Sequence, residues 1–281
     1  MDNPTGWASL PSHISPFLFQ FGSFQLRWYS LMYLAAFGLT YFLVVRRIRQ
    51  EKFPYTPETI QDLFIWIIFG LILGGRLGYV LFYNLDYYLG HPLEILLPFE
   101  FSGGGMRFVG ISGMSFHGGL VGVVLAAVWF CRRNGIAFWN MADLICPTVP
   151  LGYTFGRLGN FLNGELWGRA TTMPWGMYFP LDPTGLLRHP SQLYEALFEG
   201  VVLFAILWAI RRKSPFDGFL LSMYLIGYGL IRFVIEFFRE PDAQLGLLLF
   251  SLSMGQLLCL LMIGAGLAVF MMRKTAAERN R

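Results

Sequence analysis

Long apolar runs separated by short polar stretches dominate the chain. They occupy residues 28–45, 63–82, 116–131, 141–160, 193–210, 219–238 and 254–272. A helix needs about 20 largely apolar residues to cross the hydrocarbon core of a bilayer. The pattern therefore predicts about seven transmembrane helices, some of them short, with the third and fourth having the least sharp edges. An eighth apolar piece, 93–101, carries Glu94 and Glu100 with prolines nearby and reads as an interfacial or re-entrant segment. Segment 161–191 is rich in Gly, Pro and Thr and is expected to form a small cap, too short for a core of its own. The expected fold class is an all-α polytopic membrane protein, with residues 1–281 forming a single membrane-embedded domain.

Composition agrees with this pattern. Hydrophobic residues make up 55% and charged residues 14%, with a mean hydropathy of +0.52. Soluble domains carry about a quarter charged residues, so here lipid must solvate much of the surface. The net charge of +4 sits in short clusters between apolar runs, not in a continuous basic stripe, and nucleic acid is excluded as a partner. Cys131, Cys146 and Cys259 lie within or beside apolar runs without ligand-like spacing, so neither a disulfide framework nor a metal site is expected. No Lys or Arg precedes Arg27, so the basic start of a cleaved signal peptide is missing and the first apolar run is expected to be retained.

The basic residues also predict an orientation. With the N-terminus outside, inner loops hold Arg46, Arg47, Arg49 and Lys52; Arg132 and Arg133; Arg211, Arg212 and Lys213; and Arg273, Lys274, Arg279 and Arg281. Outer segments hold only Arg27, Arg107, Arg169, Arg188 and Arg239. This excess favours N-terminus outside and C-terminus inside. Asp143, on the inner side, reads as a helix-start charge.

Arg76, Arg157 and Arg232 lie within apolar runs, each in the last third of an outward-running helix. Three costly charges at one depth point to a shared anionic ligand more than to separate structural pairs. Tyr224, Tyr228, Arg232 and Glu236 recur every four residues and share one helix face. Arg76, Tyr79 and Tyr83 form a similar stripe, as do Tyr29, Tyr33, Phe37 and Tyr41. For Tyr29 and Tyr83, at helix ends, an interfacial aromatic belt is an equally good account. Gly70, Gly74, Gly75 and Gly78 surround Arg76, and Gly152, Gly156 and Gly159 surround Arg157, as close helix packing in lipid requires.

The densest polar cluster is Gly156-Arg157-Leu158-Gly159-Asn160-Phe161-Leu162-Asn163-Gly164-Glu165-Leu166-Trp167-Gly168. An ordinary helix end needs one cap, not four convergent polar side chains. This stretch resembles the signature G-R-x-[GA]-N-F-x-N-x-E-x-x-G of the bacterial prolipoprotein diacylglyceryl transferase family and matches every fixed position. Further ordered pieces resemble that family: Trp28–Tyr33, Gly74–Tyr79, Met114–Gly119 with His117, Arg188–Glu195, and Gly227-Tyr228-Gly229 followed by Arg232, Glu236 and Arg239. The resemblance runs from about Tyr29 to Gln256. Segment 102–115, with Gly-Met twice, is longer than the family's usual lead into its His-Gly-Gly motif.

The resemblance implies an enzyme that moves the sn-1,2-diacylglyceryl group of phosphatidylglycerol to the lipobox cysteine thiol of a prolipoprotein. It implies no cofactor, a monomer, and an inner-membrane location with the site on the periplasmic side. Its partners would be phosphatidylglycerol, the prolipoprotein signal peptide and membrane lipid. The leaving phosphate calls for positive charge, which arginine supplies as a planar fork. Arg157 and Arg232 are the candidates, Arg239 a helper, and Arg76 stays divided between a site and a structural pair. His117 is a candidate for activating or positioning the thiol, with Glu165 and Glu236 as alternative bases or arginine holders. Asn160, Asn163, Tyr29 and Tyr228 complete the candidate lipid-binding set, while His189 reads as a loop anchor. An anion or lipid transporter is the competing class, but the internal repeats or interrupted helices near mid-membrane that it calls for, and polar groups reaching both faces, are not read in the sequence. A non-catalytic scaffold leaves the polar signature unexplained.

Overall fold

The computed structural model describes residues 6–21, 24–51, 53–97, 99–100, 107–108, 113–240 and 252–279. Most of the long 102–115 segment therefore lies outside the described residues. The chain divides into two compact units, one of Met1–Phe53 with Ala142–Arg281 and one of Pro54–Met141.

The first unit opens with a 3-10 turn and an antiparallel hairpin, β1 (Phe17–Phe21) and β2 (Phe24–Arg27), which the apolar pattern did not signal. Helix α1 (Trp28–Glu51) follows directly. Two further helices belong to the second unit, α2 (Pro57–Tyr83) and the short α3 (Leu85–Gly90), before the two-residue strands β3 (Phe99–Glu100) and β4 (Arg107–Phe108) and helix α4 (Phe116–Arg133). The fourth expected crossing is broken. It consists of α5 (Phe138–Ile145), a 3-10 turn at Cys146–Thr148 and α6 (Val149–Leu162). Pro147 and Pro150 account for the break, because neither can donate the backbone hydrogen bond that would continue the ladder. Helix α7 runs Ser191–Lys213, α8 Phe219–Ile235 and α9 Met254–Arg279.

Five of these helices, α1, α2, α4, α7 and α9, are long and apolar enough to cross a membrane. Their apolar windows are only 11–33% buried, so most of their hydrophobic surface faces outward, as lipid-solvated helices require. Helix α8 is apolar but shorter. Among its described residues, segment 93–101 contributes a 3-10 turn at Pro92–Ile95 and the two residues of β3.

In the second unit Thr56 caps α2, accepting from the Thr59 amide at 3.3 Å, with Pro57 at the first helical position. Ser115 caps α4 through the Gly118 amide at 3.3 Å. Gly70 and Gly74 lie against Gly122 and Gly118, where a Cβ on any of the four would strike the opposing backbone. Small residues four apart thus bring the two backbones into contact. Arg76 is tied to main-chain carbonyls: Nε to Ile95 at 2.8 Å, Nη2 to Glu94 at 2.6 Å and Nη1 to Gly113 at 3.4 Å. Its guanidinium also covers the Tyr88 ring at 4.8 Å. Arg76 therefore staples two stretches that follow α2, at Glu94–Ile95 and at Gly113, to that helix.

At the far end of the first unit, Arg47 is buried at 1% exposure. It pairs with Glu51 at 2.7 Å and donates to the carbonyls of Asp143 and Leu144. Asp143 does serve a helix start, but that of α8, accepting from the Gly218 and Leu221 amides at 2.8 and 2.9 Å.

Candidate active site

Helix α6 presents Tyr153, Arg157 and Asn160 at spacings of four and three, on one face. Against it lies α7, whose stretch Glu195–Val202 is wound as a π-helix. Such wide turns are rare and concentrate at functional sites. Gly200 lets α7 come close, since a Cβ there would strike Thr154 of α6. Helix α8 supplies Tyr228 and Arg232, and Glu236 and Arg239 follow just past its end.

The centre of this arrangement is Glu195, at 0% exposure. Its carboxylate lies 2.9 Å from Arg157 Nε, 2.8 Å from Arg232 Nη1 and 3.2 Å from Arg239 Nη1. Glu236 closes the other side, 3.0 Å from Arg232 Nη2 and 3.6 Å from Arg239 Nε, and accepts from Ser253 Oγ at 3.1 Å. Glu199, also at 0% exposure, accepts from the Tyr153 hydroxyl at 2.6 Å and lies 3.5 Å from Arg232. Tyr153 in turn accepts from Arg157 Nε at 2.6 Å, and its ring packs edge-on against Tyr228. Three arginines and three glutamates thus compensate one another. The arginine side chains nevertheless keep 14–18% exposure, so none of the three is sealed off completely.

The structure joins Arg157, Arg232, Arg239, Tyr228 and Glu236 in one network. Asn160 extends it, its Oδ1 accepting from Arg157 Nη1 at 3.3 Å and its Nδ2 donating to Glu165 at 2.8 Å. Asn163 also donates to Glu165, at 3.4 Å. Glu165 therefore holds asparagines rather than arginines. Tyr29 pairs with Tyr33 hydroxyl to hydroxyl at 3.0 Å and packs against Gly159. His117 belongs to the second unit; it is exposed in the first turn of α4 with its ring edge-on to Phe116, and has no hydrogen-bond partner among the described residues.

Glu195, Glu199 and Tyr153 are the members that sequence reasoning overlooked. Two glutamates four apart inside the apolar run 193–210 carry the same signal as the buried arginines, and Tyr153 sits one turn before Arg157.

The loop after α6 is held rigidly. Gly164 and Leu166 both adopt positive φ, 67° and 59°, a conformation that costs a branched residue such as leucine. The carbonyls of Glu165 and Leu166 accept from Gln192 and Ser191 at the start of α7. The segment 161–191, expected to form a cap, is pinned by bridges from Gly168 to Arg239 and from Arg188 to Ala170 and Met177. It does possess a small core of Phe161, Met177 and Phe179, completed by Ile14, Trp167 and Leu193, so it borrows from the N-terminal segment and from helix ends what its own length cannot supply.

Inside the cap Arg188 pairs with Asp182 at 2.7 Å and with Glu240 at 3.0 Å. Burial alone would raise Asp182, but hydrogen bonds from Arg188 and Thr184 prevail and hold its carboxyl below the usual range. His189 anchors the loop, its carbonyl accepting from the Gly168 amide at 2.8 Å and its ring meeting Tyr194 and Phe238. Burial lowers the pKa of its imidazole.

Apolar helices gathering an arginine–glutamate network beneath a small polar cap define a membrane protein with a buried ionic site. The family model for prolipoprotein diacylglyceryl transferase matches residues 16–272, and the chain belongs to that family. It is 52% identical to the phosphatidylglycerol–prolipoprotein diacylglyceryl transferase of Chlorobaculum tepidum, over 99% of this chain and 96% of the relative. Proteins of the same name from Geobacter sulfurreducens and Paracidovorax citrulli are 48% and 44% identical, covering 93% and 95% of this chain and 97% and 98% of their own lengths.

Proposed function

We propose that this chain transfers the sn-1,2-diacylglyceryl group of phosphatidylglycerol to the lipobox cysteine thiol of prolipoproteins. A thioether forms and glycerol phosphate leaves, as the first step of lipoprotein maturation. The relatives' names specify both substrates. The observation that carries the reading is the gathering of Arg157, Arg232 and Arg239 on one buried carboxylate with 14–18% of each still exposed. In displacement at the glyceryl carbon the phosphate changes from a diester monoanion towards a dianion. Donors fixed in advance around that growing charge lower the barrier without reorganising.

Arg157 and Arg232 are assigned to the phosphate and Arg239 to the glycerol headgroup. Tyr29, Tyr228, Asn160, Asn163, Glu165 and Glu236 line or brace the lipid site. His117 is assigned to orienting the acceptor cysteine, a role that rests on its motif alone. The site needs no cofactor or metal under this reading, and the chain acts as a monomer and as one membrane-embedded domain. It crosses the bacterial inner membrane seven times, N-terminus outside and C-terminus inside, with the cap and the arginines on the periplasmic side. The five long helices, α8 and the broken 138–162 stretch supply seven apolar passages, and the loop charges support the direction.

The deciding experiment gives purified protein labelled phosphatidylglycerol and a lipobox peptide. Wild type should label the peptide, and Arg157→Ala should lower transfer by about 10²–10³-fold, the usual cost of losing one such donor, while remaining folded. Undiminished transfer by that variant would remove Arg157 from the site.

A further inference from the structure

The displacement proposed above frees a proton from the acceptor thiol, and the inference here rests on that transferase reading. The thiolate is the attacking species, so the site must hold a proton acceptor. Two fully buried carboxylates stand beside the arginines, and they are not equivalent. Glu195 meets three guanidinium groups within 3.2 Å. Glu199 meets one, Arg232, at 3.5 Å. Neutralising Glu195 would take from Arg157 its carboxylate partner and from Arg232 and Arg239 one of theirs, whereas neutralising Glu199 gives up a single long contact.

The charged and titratable groups facing Glu199 are Tyr153 and Arg157 from α6, Glu195 from its own helix, Tyr224, Tyr228 and Arg232 from α8, and Cys259 from α9. Among these, Arg157 is engaged with Tyr153 and Glu195. Glu199 has no exposed surface, so a substrate cannot touch it. Tyr153 is partly exposed, and its hydroxyl bridges Arg157 and Glu199 with both distances at 2.6 Å, while the Glu195 carboxylate lies further off at 3.1 Å. A phenol has one proton to donate and two lone pairs to accept with. The shorter distance gives the proton to Glu199 rather than to Glu195, and Arg157 takes one lone pair, so the oxygen has a second lone pair with which to accept a proton.

We propose that Tyr153 and Glu199 form the relay that removes the proton of the acceptor thiol. The thiol proton moves to the Tyr153 oxygen as the phenolic proton moves to Glu199 Oε2. The sulfur electron pair forms the C–S bond at the glyceryl carbon bearing the phosphate. The C–O bond breaks, and its electron pair stays on the phosphate oxygen. Before the step the phosphodiester and Glu199 carry one negative charge each; afterwards the monoester carries two and Glu199 none. The buried site therefore passes through the reaction without changing its net charge, which avoids the cost of adding an uncompensated ion to a medium of low dielectric.

The test compares two acceptors, a lipobox peptide with cysteine and the same peptide with selenocysteine, whose selenol is already ionised at neutral pH. Tyr153→Phe and Glu199→Gln should each lower transfer to the thiol peptide by about 10²–10⁴-fold, the usual contribution of a positioned acid or base. Transfer to the selenol peptide should fall only a few-fold in the same preparations. The ratio of the two rates is independent of how much of a variant is folded, and Tyr153→Phe carries the test should Glu199→Gln fail to accumulate. Equal losses with both acceptors would overturn the relay in favour of a structural role, as would undiminished transfer to the thiol. Wild-type protein that lipidates neither peptide would overturn the transferase reading itself, an outcome distinct from failure of the relay alone.

Discussion

Replacing Glu195 by Gln removes one negative charge from a fully buried position and keeps the side chain's shape. The carboxylate stands 2.9, 2.8 and 3.2 Å from nitrogens of Arg157, Arg232 and Arg239. At an effective dielectric of about 20, each approach represents roughly 5 kcal/mol of attraction. Much of that gross attraction is offset by taking the carboxylate out of water, several kcal/mol per ion. What does not cancel is the state left behind, with three guanidinium groups facing an amide. Breaking a buried pair in this way costs about 3–5 kcal/mol. The melting temperature should fall by about 10 °C, taking roughly 2–4 °C per kcal/mol for a chain of this order. Thermal unfolding in detergent, with and without a short-chain phosphatidylglycerol, measures it. Because the variant site carries one surplus positive charge, the lipid phosphate should restore part of the loss. Bound lipid should therefore raise the melting temperature more in Glu195→Gln than in wild type. A variant as stable as wild type would refute Glu195 as the ionic hub. Equal lipid-induced shifts in the two proteins would refute phosphate binding at the arginines.

Gly122→Leu should force α2 and α4 apart, because its side chain would strike the backbone at Gly70; overpacking costs about 1–3 kcal/mol, read as faster proteolysis within 54–141 than for Gly38→Leu, where the added atom meets open space. His117→Gln should raise KM for the peptide without changing the thiol-to-selenol rate ratio; a collapse of that ratio would make His117 the base instead. The cap should loosen in two stages on acidification, followed by hydrogen exchange at Met177 and Arg188 after correction for intrinsic rates. His189 has a lowered pKa, so the unfolded chain binds its proton more readily and stability falls as pH drops below about 6.5. Asp182 is also lowered, so its contribution is complete above about pH 4 and is lost as pH falls through its folded value. Asp182→Asn should remove only the second stage.

The ionic site was half legible in the sequence. Buried cations stood out because Arg157 and Arg232 interrupt apolar runs, and their helical spacing already placed Tyr228 and Glu236 beside them. The carboxylates opposite, Glu195 and Glu199, carry the same burial cost inside an apolar run, but nothing in the sequence pairs them with those cations. No periodicity announces that residues 195–202 wind as a π-helix, since that depends on how α7 packs on α6 through Gly200 and Thr154. Arg76 shared the depth signature of the other two yet is spent on backbone carbonyls, which only three-dimensional proximity reveals. The apolar stretch 141–160 likewise gave the right hydrophobicity and the wrong continuity. Its prolines marked the break, but hydropathy alone does not weigh them.

The glycine contact between α2 and α4 bears on how a two-tailed lipid travels. Side chains normally hold packed helix axes 8–10 Å apart, and the crevices between them are where acyl chains slide. Gly70, Gly74, Gly118 and Gly122 abolish that crevice by letting main chain meet main chain. The pair behaves as a closed seam along that contact. No acyl chain can lodge between these two helices where the glycines meet.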